Sequence, residues 1–162
     1  ATKQSFQDIL KFYTSSGHLK SITLKLFDTY GPNDSRKKIF SLLSDAILNK
    51  NKLVMTSGEQ MMDIVYVTDV VKAYLIAINY ILNVKNTYSD EIFFVSSGEQ
   101  IKLKSLVEKY LKINRTRLDI DWGGKPHRAR EIMHPLKNVP ILPGWSPKVN
   151  LDEGLKLIAN LD

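Results

Sequence analysis

Asp63-Ile64-Val65-Tyr66-Val67-Thr68-Asp69-Val70-Val71-Lys72-Ala73 is the stretch on which the fold turns. Ile64 to Val67 is a short β-branched and aromatic run, the composition of a buried strand. It feeds directly into Thr68-Asp69, either of which can cap a following helix. Beyond them Val70, Val71, Tyr74, Leu75, Ile78 and Leu82 form a broad apolar stripe at helical spacing, which predicts the best buried helix of the chain.

Outward from this unit the same alternation continues. Upstream, Lys52 to Met55 reads as a short strand, Ser57 to Met62 as loop, and Ile39 to Leu48 as an amphipathic helix. Ser21 to Phe27 alternates Ile22, Leu24 and Leu26 with Thr23 and Lys25, and stops at the turn formers Tyr30-Gly31-Pro32-Asn33-Asp34. Before it, Phe6, Ile9, Leu10 and Tyr13 predict a helix over 5–16 with one buried face, capped by Gly17. Downstream come a strand at Glu91 to Val95, a turn at Ser96-Ser97-Gly98, and a helix at Leu103 to Leu111 turning Leu106, Val107, Tyr110 and Leu111 inward. Leu118 to Trp122 reads as strand, Gly123-Gly124-Lys125-Pro126 as a break, and Leu151 to Leu161 as a last helix after Pro140, Pro143 and Pro147. The result is a mixed α/β domain whose three or four short strands do not make a full doubly wound sheet.

The 162 residues are one domain's worth, and 43% hydrophobic with 25% charged residues excludes disorder, collagen-like sequence and coiled coil. The absence of cysteine excludes disulfide scaffolds, zinc-thiolate sites and cysteine nucleophiles, and points to a reducing, cytoplasmic setting. The most apolar stretch, Val65 to Leu82, is interrupted by Asp69, Lys72 and Asn79, so no membrane span is expected. A chain that begins at Ala1 is expected to have lost residues upstream.

The net charge of +6 is concentrated from Gln100 to Arg130, where nine basic residues face three acidic ones. Such a cluster favours an anionic partner, either a phosphate-bearing small molecule or nucleic acid. For Lys102, Lys104, Lys109 and Lys112 the alternative is a solvated helix face. Glycine-rich dinucleotide and phosphate loops, His-Glu-x-x-His and Gly-x-Ser-x-Gly are all absent, and His18, His127 and His134 are too scattered for a metal site.

Four segments carry a resemblance. Leu24-Lys25-Leu26-Phe27-Asp28-Thr29-Tyr30-Gly31-Pro32 is similar to a strand and Tyr-Gly-Pro turn, and Gly58-Glu59-Gln60 with Asp63 to Ala73 to a Gly-x-Gln-x-x-Asp-Phe-Val-Tyr-Val-x-Asp-Val segment. Phe93 to Glu99 and Gly144-Trp145-Ser146-Pro147 to Leu155 match the two that follow. In this order they resemble the C-terminal half of the extended short-chain dehydrogenase/reductases, the NAD-dependent epimerases and dehydratases acting on nucleotide sugars. The resemblance implies the end of a Rossmann region over about 1–35 and a small mixed α/β substrate-binding domain over about 36–162, with the glycine-rich half absent. It also implies NAD or NADP as cofactor and, in the full-length protein, a homodimer.

By the same resemblance Lys3 matches the lysine of the Tyr-x-x-x-Lys signature, its tyrosine falling two residues before Ala1. An ammonium beside a phenol lowers the phenol's pKa and lets it relay a proton while hydride moves at nicotinamide. Without that match Lys3 is an exposed terminal lysine. Tyr30 falls beside the nicotinamide. On the substrate side Asp28 stands where the family has an asparagine, and a carboxylate there repels a diphosphate unless a cation intervenes. Met62 stands where many members place a diphosphate-binding arginine, and Arg128 and Arg130, with Glu131, resemble the family's Arg-Pro-Gly-Asp and are the replacements. Their alternative is ion pairing with Glu131. Lys38 is a further substrate candidate, and Leu53 and Met55 pack on the base or are plain core. Asp63, Tyr66 and Trp145 read as a turn acceptor, a partly buried ring and a hydrophobic plug.

The expected function is the substrate-binding part of an NAD(P)-dependent nucleotide-sugar epimerase, dehydratase or 4-keto-reductase of surface-polysaccharide synthesis. Asp-Thr-Tyr-Gly-Pro and Met62 lean it to CDP-dideoxyhexose reductases, and the chain alone is expected to be inactive. Two alternatives stand beside it: a non-enzymatic anion- or nucleic-acid-binding module using the basic segment, and a folded remnant with no ligand. Against nucleic acid, the segment's only aromatics are Tyr110 and Trp122, too few for a stacking platform.

Overall fold

In the computed structural model, which describes residues 2–17, 19–83 and 89–159, strands and helices alternate along the whole chain. The elements are α1 (Thr2–Ser15), β1 (Lys20–Leu26), β2 (Asp28–Tyr30), α2 (Ile39–Leu48), β3 (Leu53–Met55), β4 (Met61–Met62), β5 (Ile64–Tyr66) and α3 (Val67–Asn83). They continue with β6 (Ser89–Val95), β7 (Ile101–Lys102), α4 (Leu103–Ile113), β8 (Ile120–Trp122) and α5 (Leu151–Ala159). His18 and the end of the expected last helix, 160–161, lie outside the described residues.

Strand pairing joins segments far apart in sequence. β1 runs parallel to β6 with Lys20 opposite Ser89 and Leu26 opposite Val95, β2 runs parallel to β5, and β3 parallel to β8. β4 and β7 pair antiparallel, and Phe94 makes a parallel bridge to Ile141. Parallel pairs need long crossovers, and here helices provide much of them. Among the described residues the strands are eight rather than three or four, in four two-stranded pairs. Three of them, β2, β4 and β7, fall on segments not read as strand; they are two or three residues long and take their pairing from distant partners, so no local alternation announces them.

Two apolar clusters hold the elements. One gathers Tyr30, Leu43, Met55, Ile64, Tyr66, Leu103, Leu106, Val107, Tyr110 and Leu155, so α2, α4 and α5 close on β2, β3 and β5. The other joins Val65, Val70, Ala73, Ala77, Val95, Leu142 and Trp145 with partly buried Ile22, Leu24 and Phe93.

Two expectations of burial need correction. The stripe on α3 is not the buried face: small Val70, Ala73 and Ala77 are buried, while Val71, Tyr74, Leu75, Ile78 and Leu82 are exposed, Leu75 at 62% and Leu82 at 75%. On α1 only Thr14 is buried, and Phe6 (61%), Ile9 and Tyr13 are exposed. Both helices contact β1, α1 also β6 and α3 also β2 and β5, and nothing among the described residues covers their outer faces. Val67 is the first residue of α3 rather than the last of the strand.

Candidate functional site

The parallel pair β3–β8 points both strands the same way, ending at Met55 and Trp122. Just past these ends the chain turns at Gly123, whose N–H donates to the Met55 carbonyl at 3.1 Å, and the Lys125 N–H reaches the same oxygen at 3.0 Å. At Gly124 a Cβ would meet Val54 Cγ1 at 2.8 Å and the Asp121 carboxyl at 2.9 Å, so these side chains would have to shift to admit it. The turn brings the basic loop 125–130 against the strand ends, all six residues exposed. Met55 beneath belongs to the core, and Leu53 is half-buried against it.

Arg128 and Arg130 present guanidiniums with no partner among the described residues. The ion pair to Glu131 weighed from the sequence is not formed: the Glu131 carboxylate instead accepts the Arg128 backbone N–H at 3.4 Å. The loop is tied sideways by His127, whose Nε2 lies 3.0 Å from Ser57 Oγ. Sequence reading passed over this pair, because a serine and a histidine 70 residues apart carry no spacing signal.

Asp28 and Lys38 are brought together. Phe27 N–H donates to Val95 O and Asp28 N–H to Asp63 O, which seats Asp28 at the start of β2 with its carboxylate exposed. Lys38, extended just before α2, places Nζ 3.3 Å from Asp28 Oδ1. The cation nearest the Asp28 carboxylate is thus Lys38. Nearby, Arg36 grips Asp34 with two 2.7 Å bonds, and these hold the Asp34 carboxyl below the usual carboxylate range. Met62 lies in β4, paired with Ile101.

Tyr30 is 5% exposed, its ring 5.3 Å from Phe40 and 5.4 Å from Tyr66 and its hydroxyl end against Gly154 of α5. Lys3 is exposed on the first turn of α1.

Two carboxylates, Asp63 and Asp69, are buried. Asp63 accepts from Ser96 Oγ and from Ser97 N–H and Oγ, the latter two at 2.8 Å, so it is the turn acceptor expected of it. Asp69, fully buried, does not cap α3 by any bond described; its Oδ2 accepts the Lys148 and Val149 N–H groups at 2.8 Å, and its carbonyl accepts Trp145 Nε1 at 2.9 Å. Trp145 is the buried plug, and Tyr66 is fully in the core rather than partly buried.

The basic cluster read from the sequence is divided. Lys102 pairs with Glu59 and Lys109 with Asp152, each at 2.7 Å, and Lys104 Nζ lies 5.8 Å from the centre of the Trp122 ring. Cavities of about 430 Å³ beside Asp63 and Gln100 and about 480 Å³ beside Lys50 and Arg117 are lined by residues outside the loop. The loop and the Asp28–Lys38 pair are each open to solvent.

Strand ends carrying unpaired arginines suit a phosphorylated ligand, and the family comparison decides the context. The model of the NAD dependent epimerase/dehydratase family matches residues 1–89, more than half of the chain. The chain belongs to this family. A CDP-abequose synthase of Salmonella typhimurium is 28% identical over 163 residues, covering 96% of this chain and 52% of that protein. A dTDP-4-dehydro-6-deoxyglucose reductase of Escherichia coli is 28% identical over 167 residues, covering 99% and 51%. Among solved structures, the Thermotoga maritima UDP-glucose 4-epimerase with UDP-glucose superposes at a TM-score of 0.79 with 25% identity, covering 98% of this chain and 51% of that one. This member of the epimerase/dehydratase family thus spans about half the length of the curated relatives it matches. Its mixed α/β architecture is that of the extended short-chain dehydrogenases over the matched half. Among the described residues no helix is long and apolar enough to cross a membrane.

Proposed function

We propose that the chain is the substrate-binding part of an NAD(P)-dependent nucleotide-sugar oxidoreductase or epimerase, with residues 36–162 holding the sugar nucleotide and residues 1–35 ending the cofactor domain. The observation that carries this is the exposed loop with the two unpaired guanidiniums of Arg128 and Arg130, hung from the carboxyl ends of parallel β3 and β8. In open α/β sheets ligands gather outside the carboxyl ends of the strands, and planar guanidiniums grip diphosphate oxygens two at a time. Leu53 and Met55 would floor the base, and Lys38 would share its charge between Asp28 and the diphosphate.

On the cofactor side the fit is incomplete within this chain. No glycine-rich loop is present, Tyr30 is closed in by Phe40, Tyr66 and Gly154, and Lys3 stands exposed on α1. Tyr30 would therefore serve by holding the 28–32 turn rather than by its hydroxyl, and no hydride step is assigned to these residues. NAD, named in the family's description, belongs to the whole protein, as do a homodimer and turnover itself. The outer faces of α1 and α3 are where the remaining half of such a protein would pack. The names of the CDP- and dTDP-linked relatives favour a 4-keto-sugar reductase, with CDP as first choice.

Calorimetric titration with CDP, UDP and dTDP, at two salt concentrations, tests the site. Base preference is expected, with binding weakened at least about 10-fold by Arg128→Ala/Arg130→Ala, since a hydrogen bond to a charged group contributes roughly 1.5–3 kcal/mol. Equal affinity for the three with a steep salt dependence, or no effect of the double substitution, would sink the proposal.

A further inference from the structure

Residues 55–61 and 123–133 run side by side and are tied at three levels. At one end Met55 O holds the N–H groups of Gly123 and Lys125, and at the other Met61 N–H donates to Met133 O at 2.9 Å. Between them the tie is Ser57 Oγ to His127 Nε2, 3.0 Å apart, one residue before Arg128. The Ser57 side is rigid. Gly58 adopts φ +75°, and a Cβ there would meet Trp122 Cζ3 at 2.6 Å and Lys104 Cβ at 2.9 Å, so this turn is packed hard against β8 and α4. The His127 side is an exposed loop; between its ties at Lys125 and Met133 the other described bonds join only Arg128 and Glu131.

We infer that His127 is a positioning residue of the substrate site: by bonding to Ser57 it sets the loop so that Arg128 is presented to the diphosphate of a sugar nucleotide before that ligand arrives. The inference rests on the nucleotide-sugar reading above. Its physical basis is pre-organisation. A guanidinium on an unanchored loop gives up loop and side-chain entropy on binding, whereas an anchored one has lost it during folding. Either protonation state of His127 keeps the bond, because neutral Nε2 accepts from the Ser57 hydroxyl and protonated Nε2 donates to it.

The test is a double-mutant cycle on the dissociation constant of whichever of CDP, UDP and dTDP binds tightest. Ser57→Ala and His127→Ala are each expected to weaken binding about 3- to 10-fold, and the double variant no more than the worse single one. His127→Gln, which keeps a side-chain amide able to bond Ser57, should recover affinity to within about 2-fold. The thermal midpoint should stay within about 1 °C throughout, as expected of an exposed pair. Loss of affinity in His127→Ala with none in Ser57→Ala would overturn the inference in favour of direct contact between His127 and ligand. Equal, additive losses accompanied by a lower midpoint would reduce the pair to a structural bond. Arg128→Ala separates the two levels: if it leaves binding intact, or none of the three diphosphates binds, the site reading fails first and the latch with it.

Discussion

Gly154→Ala sets two well-known effects against each other at one atom. Gly154 is inside α5, where alanine is favoured over glycine by about 1 kcal/mol. A Cβ there, however, would lie 2.7 Å from Tyr30 Cζ and 3.0 Å from Cε2, with the hydroxyl closer still. Tyr30 has little room to retreat, because Phe40 and Tyr66 pack on it at 5.3 and 5.4 Å and it is 5% exposed. Overpacking of a filled core costs about 1–3 kcal/mol, and a ring held by two others belongs near the upper end. The net expectation is a loss of about 1–2 kcal/mol, which for a domain of this size lowers the thermal midpoint by roughly 2–8 °C. Calorimetry measures it directly. Tyr30→Phe removes the closest of the overlapping atoms, so the double variant should regain about half of the loss beyond additivity. A Gly154→Ala midpoint equal to or above the parent's would refute the packing argument and leave helix propensity in control.

Asp69→Ala strips the acceptor from two amides, Lys148 and Val149, and is expected to cost about 2–4 kcal/mol in urea unfolding, with a shift in Trp145 fluorescence; Asp69→Asn should recover more than half. Burial first, then the neighbouring Tyr66, Asp69 and Asp152, pushes the Tyr30 phenol well above the ordinary tyrosine value of 10.0. The unfolded chain therefore releases a proton that the native one keeps, so this contribution is whole below about pH 10 and is lost as pH rises beyond it. The urea midpoint should fall less steeply from about pH 9 to about pH 11 in Tyr30→Phe than in the parent, and identical slopes would count against a buried neutral phenol. The Asp28–Lys38 pair is exposed and worth roughly 0.2–1 kcal/mol, so Asp28→Asn is expected to tighten nucleoside-diphosphate binding up to about 5-fold and Lys38→Ala to weaken it. Weaker binding in Asp28→Asn would instead make the carboxylate a direct acceptor for the ligand.

Much of the architecture was legible because its signals are local. Period-two alternation in Ser21 to Phe27, helical spacing in Leu103 to Leu111, and the breaks at Gly31-Pro32 and Gly123-Gly124 each depend on residues within a turn or two. Arg128 and Arg130 could be singled out because clustered arginines on a glycine- and proline-flanked loop are conspicuous by type. Asp69 was misread for the complementary reason. A carboxylate at the start of a helix is a good cap by local rules, but the amides it serves belong to Lys148 and Val149, and only packing brings them near.

The sequence by itself determined the helices, the longer strands, their order and the family they belong to, since those depend on residue type and short-range spacing. Only the tertiary structure decided which faces are covered, because periodicity says which residues share a face and not whether a layer lies against it; hence the small residues of α3 are inside and Leu75 and Leu82 outside. It alone also decided the contacts between distant segments: Lys38 on Asp28, Ser57 on His127, and Gly154 on Tyr30. Such pairs are set by how the parallel strands cross over, and a crossover leaves no mark in the residues it joins.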